Sequence, residues 1–308
     1  MWFFIRHAES SNNATNNNDS VDLKDKYNER RVPDPHLTEI GFKQAKITAE
    51  YLASKDNKVW QQQGEDQKGM CLTEPIFGGI YCSPMQRSLD TAFEIQKRVG
   101  CPVYVNADLC EVGGLFHGRR NHSNELKAVV RICNGKKRGD ILKEYPEFIL
   151  DKNIKDEGWW GKPQESFKDA VERAHRVSEW LWEISYNNVA QYGVESQRRV
   201  NILITHGLFQ DILMKKLLQR EPLPPCEESL FFPCENCAIS QISLVKNARQ
   251  NKNNQECCTD AKEKSEKERI DPRMCICIKW NSTSHLTEES LRKTARIFPY
   301  MDKLQMHD

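Results

Sequence analysis

The chain has 308 residues, 38% hydrophobic and 29% charged, which is ordinary for a protein with a packed core. Its formal net charge is +1 at pH 7, and so even a balance argues against general nucleic-acid or anionic-membrane binding, which draw on a basic excess. No apolar run approaches the roughly 18–20 residues of a membrane span, and the opening "WFFI" is short for a signal-peptide core, with no cleavage pattern after it.

That opening (2–5) is the first predicted strand, and it runs straight into Arg6 and His7. An Asn- and Asp-rich stretch, 14–35, reads as an insertion. Thr38 can cap a helix running to about Ser54, and a second polar, Gln-rich insertion follows at 56–74. "IFGGIYCS" (76–83) is the second strand. Ser83 and Pro84 read as a cap and a first helical residue, with Gly100 as the stop. "VYV" (103–105) is a short third strand. Pro163 reads as the start of a long helix in which Phe167, Ala170, Val171, Ala174, Val177, Leu181 and Ile184 recur at helical spacing. "RVNILIT" (199–205) is almost continuously apolar, as expected of a parallel strand covered on both faces. Phe209, Ile212, Leu213 and Leu217 mark the next helix. "AISQISLV" (238–245) and "MCICIKW" (274–280) alternate and read as a final pair, separated by a charged, apolar-poor segment, 246–272, that reads as a disordered loop. Thr287, with Glu288 and Glu289, opens a last helix. The order predicts an α/β fold: one domain over 1–308, with a doubly wound, mostly parallel sheet flanked by helices and carrying inserted polar loops at 14–35, 56–74 and 246–272.

In such a sheet, ligands bind beyond the carboxyl ends of the strands. Arg6 and His7 end the first strand, and His206 ends "NILIT". Arg87 lies in the first turn after the second strand, in "YCSPMQRSLDTA" (81–92). Guanidinium groups pair with phosphate oxygens, and helix N-termini favour anions. Two histidines and two arginines from three strand ends point to one bound dianion.

These blocks carry a resemblance. Arg6-His7-Ala8-Glu9-Ser10, with Asn13 six residues after the histidine, resembles the Arg-His-Gly-Glu-Ser-x-x-Asn signature of the histidine phosphatase superfamily, the phosphoglycerate-mutase-like proteins. Leu37-Thr38-x-x-Gly41-x-x-Gln44-Ala45, Ser83-Pro84-x-x-Arg87-x-x-x-Thr91-Ala92 and Thr205-His206-Gly207 are similar to the following blocks, in the family's order. Ala8 departs from the usual glycine. The resemblance implies a phosphomonoester hydrolase in which His7 attacks phosphorus and becomes phosphohistidine. Arg6, Arg87 and His206 would hold the phosphoryl oxygens, with Asn13 as a further donor. Glu111, in "ADLCEVGGLFHG" (107–118), takes the family's place for the proton donor. Glu9 reads as a structural partner for an arginine, and Asp108 is the other carboxylate nearby.

No metal or cofactor is implied. The partner is a small phosphorylated substrate or a phosphoprotein, and the oligomeric state is open. Two alternatives stand beside hydrolysis: a phosphoglycerate-type mutase, and a non-catalytic interaction module on the same fold. The mutase's Arg-His/Tyr-Gly run is absent after Glu111, and no pocket residue is lost. Trp159 and Trp160 could cap the pocket, and Arg119 and Arg120 could favour an anionic substrate. Without a secretory signal, the twelve cysteines read as reduced thiols of a cytoplasmic protein; Cys234 and Cys237, Cys257 and Cys258, and Cys275 and Cys277 lack the spacing of zinc knuckles.

Overall fold

The computed structural model describes residues 1–17, 32–54, 76–116, 132–193, 199–223, 230–246 and 273–292. Its strands are β1 (Trp2–Arg6), β2 (Ile76–Cys82), β3 (Val103–Val105), β4 (Ile149–Leu150), β5 (Arg199–Thr205), β6 (Ile239–Lys246) and β7 (Arg273–Ser282). They form a single sheet in the order β4-β3-β2-β5-β1-β6-β7. The first five in that order run parallel, whereas β6 is antiparallel to β1 and to β7. The helices are α1 (Ser11–Asn17), α2 (Glu39–Ala53), α3 (Gln86–Val99), α4 (Arg138–Glu144), α5 (Phe167–Tyr192), α6 (Gly207–Leu217) and α7 (Glu289–Arg292).

Alternation along β1 shows why both faces are covered. Phe3 and Ile5 join a core with Leu52 of α2 and Leu89 and Ile95 of α3. Trp2 and Phe4 join the opposite core, with Val177 and Leu181 of α5 and Phe209 and Leu213 of α6. Every residue of β1 is buried, and the sheet is sandwiched between two helix layers as the sequence predicts.

Some boundaries differ from the predicted ones. α3 begins at Gln86, after Met85 at the cap position; Ser83 instead accepts the Met85 N–H through Oγ (3.2 Å) in the turn before the helix. α5 begins at Phe167 rather than at Pro163, because Ser166 Oγ accepts from the N–H of Asp169 (3.2 Å) and donates to its carboxylate (2.7 Å). Thr38 caps α2 as expected, accepting from Gly41 N (3.0 Å), and Gly100 ends α3 at φ 71°. The proposed insertion at 14–35 starts inside α1; residues 18–31, 56–74 and 247–272 lie outside the described residues. No helix among the described residues is long and apolar enough to cross a membrane.

Candidate active site

The sheet order sets β5 between β1 and β2, so three strand ends lie side by side. Arg6 pairs with Thr205 in register, and the His7 N–H donates to Thr205 O (3.0 Å). The Ser83 N–H donates to Ile204 O (3.2 Å). His7, His206 and the first turn of α3 therefore meet at one edge. The rings of His7 and His206 are 5.0 Å apart between centroids, and Arg87 Nε donates to His7 Nε2 (3.1 Å). Arg6, His7, Arg87 and His206 are all buried.

His7 has a fixed tautomer. Its Nδ1 lies 2.7 Å from the carbonyl oxygen of Ala8, which can only accept, so Nδ1 carries the proton. The lone pair is on Nε2, where Arg87 donates. Burial holds the His7 pKa well below the usual histidine value, and the Arg87 and Arg6 charges reinforce this. His206 is held low by burial and by Arg87, His7 and Arg6. Neither ring nitrogen of His206 has a hydrogen-bond partner among the described residues.

The spacing of the sequence blocks now has physical reasons. Thr91, four residues after Arg87, donates to Arg87 O (2.7 Å) and accepts from the Ala8 N–H (3.0 Å), so one hydroxyl ties the Arg87 turn to the residue after His7. Thr38, Gly41 and Gln44 all hold Glu9. Thr38 Oγ1 donates to Glu9 Oε1 (2.7 Å) and Gln44 Oε1 accepts the Glu9 N–H (2.8 Å). A Cβ on Gly41 would stand 2.0 Å from Glu9 O, which only glycine avoids. Glu9 is thus structural as expected, but its partner is the threonine cap of α2 rather than an arginine.

Glu111 reaches the same strand ends from the loop after β3. Its carboxylate accepts from Phe209 N (3.0 Å), Leu208 N (3.4 Å) and its neighbour Val112 N (2.9 Å), which seats it on the first turn of α6 directly after His206. Behind it, Arg173 of α5 makes a two-pronged pair with Glu165 (2.8 and 2.6 Å) and donates to Asp108 O (2.7 Å) and Cys110 O (2.9 Å), pinning the loop. Asp108 itself is half-exposed, 3.6 Å from Arg176. Asn13 sits in α1, where its Oδ1 accepts from Ser10 N and Ser10 Oγ (both 3.1 Å) and from Asn236 Nδ2 (3.3 Å).

Two residues at the site escaped sequence reasoning. Asp34 Oδ1 accepts the N–H of Gln86 (2.8 Å), the residue before Arg87; burial raises its pKa, and the Arg87 charge opposes that. Its only sequence signal was an acidic residue in the turn before "HLT". Asn236 donates to His7 O (2.7 Å) from 229 residues along the chain, with no local signal at all. Trp159 is buried in the core, and Trp160 packs on Gly114, where a Cβ would meet its ring at 2.0 Å. Arg119 and Arg120 lie outside the described residues. Cys234 and Cys237 are buried free thiols, and burial pushes both up to about 12. Among the described residues no three His, Cys, Asp or Glu side chains gather to hold a metal ion.

No family model matches the chain, and neither does any curated protein. Solved structures do. A structure described as mycobacterial hydrolase 1 is 19% identical, covering 91% of this chain and 98% of that one, with a TM-score of 0.49. A mycobacterial glucosyl-3-phosphoglycerate phosphatase is 18% identical over 91% of this chain and 98% of its own, with a TM-score of 0.45. An ecdysone phosphate phosphatase from Bombyx mori, in complex with tungstate, is 16% identical over 79% and 88%, with a TM-score of 0.45. At such low identity, what this chain does is read from its own strand ends.

Proposed function

We propose that the chain is a phosphomonoester hydrolase of the histidine phosphatase superfamily, working through phosphohistidine at His7. The observation that carries this is the state of His7: a buried, neutral imidazole, its proton held on Nδ1 by Ala8 O and its Nε2 lone pair aimed at the guanidinium of Arg87. A neutral nucleophile beside fixed cationic donors suits attack on a phosphate dianion.

In the first step Nε2 bonds to phosphorus while the bond to the leaving oxygen breaks, and Glu111 gives that oxygen its proton. Charge on the three phosphoryl oxygens is met by Arg6, Arg87 and His206, with Asn13 Nδ2 as a further donor. In the second step the Glu111 carboxylate takes a proton from water, the water oxygen bonds to phosphorus, and the P–N bond breaks. His7 recovers its lone pair and phosphate leaves. Every charge the reaction needs comes from side chains, so no metal enters. The substrate class is a phosphorylated small molecule or phosphoprotein.

The test is acid-labile, base-stable labelling of the enzyme by a radioactive phosphomonoester, in the presence of a chelator. Labelling is expected on His7 and absent from His7→Ala. A labelled His7→Ala enzyme, or turnover that stops with the chelator and returns with a divalent ion, would overturn the reading.

A further inference from the structure

Behind the Arg6–His7 pair lies the turn Cys234-Glu235-Asn236-Cys237, which leads into β6. It holds the pair at three points and reaches Asn13 at a fourth. Arg6 donates through its guanidinium to Cys234 O (2.9 Å), and the Cys237 N–H donates to Arg6 O (3.0 Å). Asn236 Nδ2 donates to His7 O (2.7 Å) and to Asn13 Oδ1 (3.3 Å). The turn holds Cys237 at φ 56°, a left-handed conformation costly for any residue with a Cβ. Asn236 is fully buried. Backbone strain and a buried amide are both spent on two residues at the head of the chain.

The orientation of both amides follows from backbone groups that have no choice of role. His7 O can only accept, so the Asn236 atom facing it is Nδ2. Ser10 N–H can only donate, so the Asn13 atom facing it is Oδ1. With its oxygen receiving Ser10 N, Ser10 Oγ and Asn236 Nδ2, the Asn13 amide leaves Nδ2 as its remaining group, and Nδ2 has no partner among the described residues. Reversed, the amide would set a carbonyl oxygen where a donor to phosphate is wanted, and its NH₂ against two fixed donors.

We propose that Asn236 is a positioning residue for the phosphotransfer site: it fixes the peptide of His7 and locks the Asn13 amide with its donor end available to the phosphoryl group. This rests on the phosphohistidine reading above. With the His7 N–H on Thr205 O and its carbonyl on Asn236, the nucleophile's backbone is held on both sides, and the Asn13 donor is set before substrate arrives.

The test is single-turnover formation of labelled phosphohistidine in the full chain, for wild type, Asn236→Asp, Asn236→Ala, Asn13→Ala and the Asn13→Ala, Asn236→Asp double variant. Burst amplitude counts folded, active sites; the burst rate constant reports their quality. Asn236→Asp keeps the size but sets oxygen against His7 O and Asn13 Oδ1. Misplacing a reacting group by about 1 Å costs on the order of 10²-fold, so the rate constant should fall about that much in both Asn236 variants. The double variant should lose little beyond Asn236→Asp, since the Asn13 donor is already misdirected there. A reduced amplitude with an unchanged rate constant would make Asn236 a packing residue and overturn the proposal. Fully additive losses would overturn its Asn13 half. A wild-type enzyme that forms no phosphohistidine would overturn the phosphatase reading and this one together; a normal wild-type burst with unaffected variants overturns this one alone.

Discussion

Glu111 and Asp34 are each tied to a helix start that borders His7, Glu111 to the first turn of α6 and Asp34 to that of α3. Only one of them is assigned to give the leaving oxygen its proton. An alkyl phosphate leaves as a strongly basic alkoxide, whereas a nitrophenyl phosphate leaves as a weakly basic phenolate that hardly needs help. General acid catalysis contributes about 10²–10⁴-fold. Glu111→Gln should therefore slow enzyme phosphorylation by an alkyl phosphate by about that factor and by nitrophenyl phosphate far less. Asp34→Asn, which loosens the turn carrying Arg87, should slow both substrates alike. Single-turnover kinetics of the two substrates on the two variants decides, and the opposite pattern would transfer the acid role to Asp34. Arg6, His7 and His206 could be found in the sequence because they end or directly follow the unmistakable apolar runs of β1 and β5, and Arg87 because it lies in the first turn of the helix after β2. Asp34 and Asn236 could not, because their importance lies in bonds to residues distant in the chain.

The second sequence block acts as a unit: α2 is brought onto the end of β1 by Thr38, Gly41 and Gln44 gripping Glu9. A methyl group on Gly41 has no space, since the nearest atom is backbone oxygen that cannot swing aside. Gly41→Ala should cost about 1–3 kcal/mol of stability, the usual toll of overpacking, and should lower activity further by shifting Glu9 and its neighbour His7. Denaturant unfolding measures the first and turnover the second; a variant normal in both would mean that α2 can move off β1 freely. Elements with strong local codes were legible, among them the buried run of β5, the Thr38 cap and the Gly100 stop. At the starts of α3 and α5 a proline sets the predicted boundary too early. Pro163 drew the start of α5 too early, although Ser166 and Asp169 three residues on already spelled a capping pair. β4 is two residues long and exists through pairing with β3, so no period in the sequence could announce it.

For the molecule as a whole, the near-zero net charge leaves its pH response to individual buried groups. His7, His206 and His285 are all held below the ordinary value by burial, His285 down to about 4 where it packs on Tyr51 and bonds Thr48. Above about pH 6.5 they are neutral in both the folded and unfolded chain. As pH falls below 6.5 the unfolded chain takes up protons that the folded one refuses, so stability declines, by about 1.4 kcal/mol per pH unit for each such histidine. Asp34 and Glu235, with raised pKa values, work the other way nearer the carboxylate range. The melting temperature should drop between pH 6.5 and 5, less steeply in His285→Gln. A flat or rising profile over that interval would contradict the burial of these rings.

The bonds from Arg6 to Cys234 and from His7 to Asn236 also set an order of events during synthesis. They span 228 and 229 residues. At about 5–20 residues per second, a nascent chain exposes His7 on the order of 10–50 s before the turn that fixes it has been made. Until then the chain can hold Arg6, His7, Arg87 and His206 without the last strands that lock the first in place. The Arg6–His7 pair is thus made long before it is fixed, and it is fixed only when the sheet has been closed on its antiparallel side.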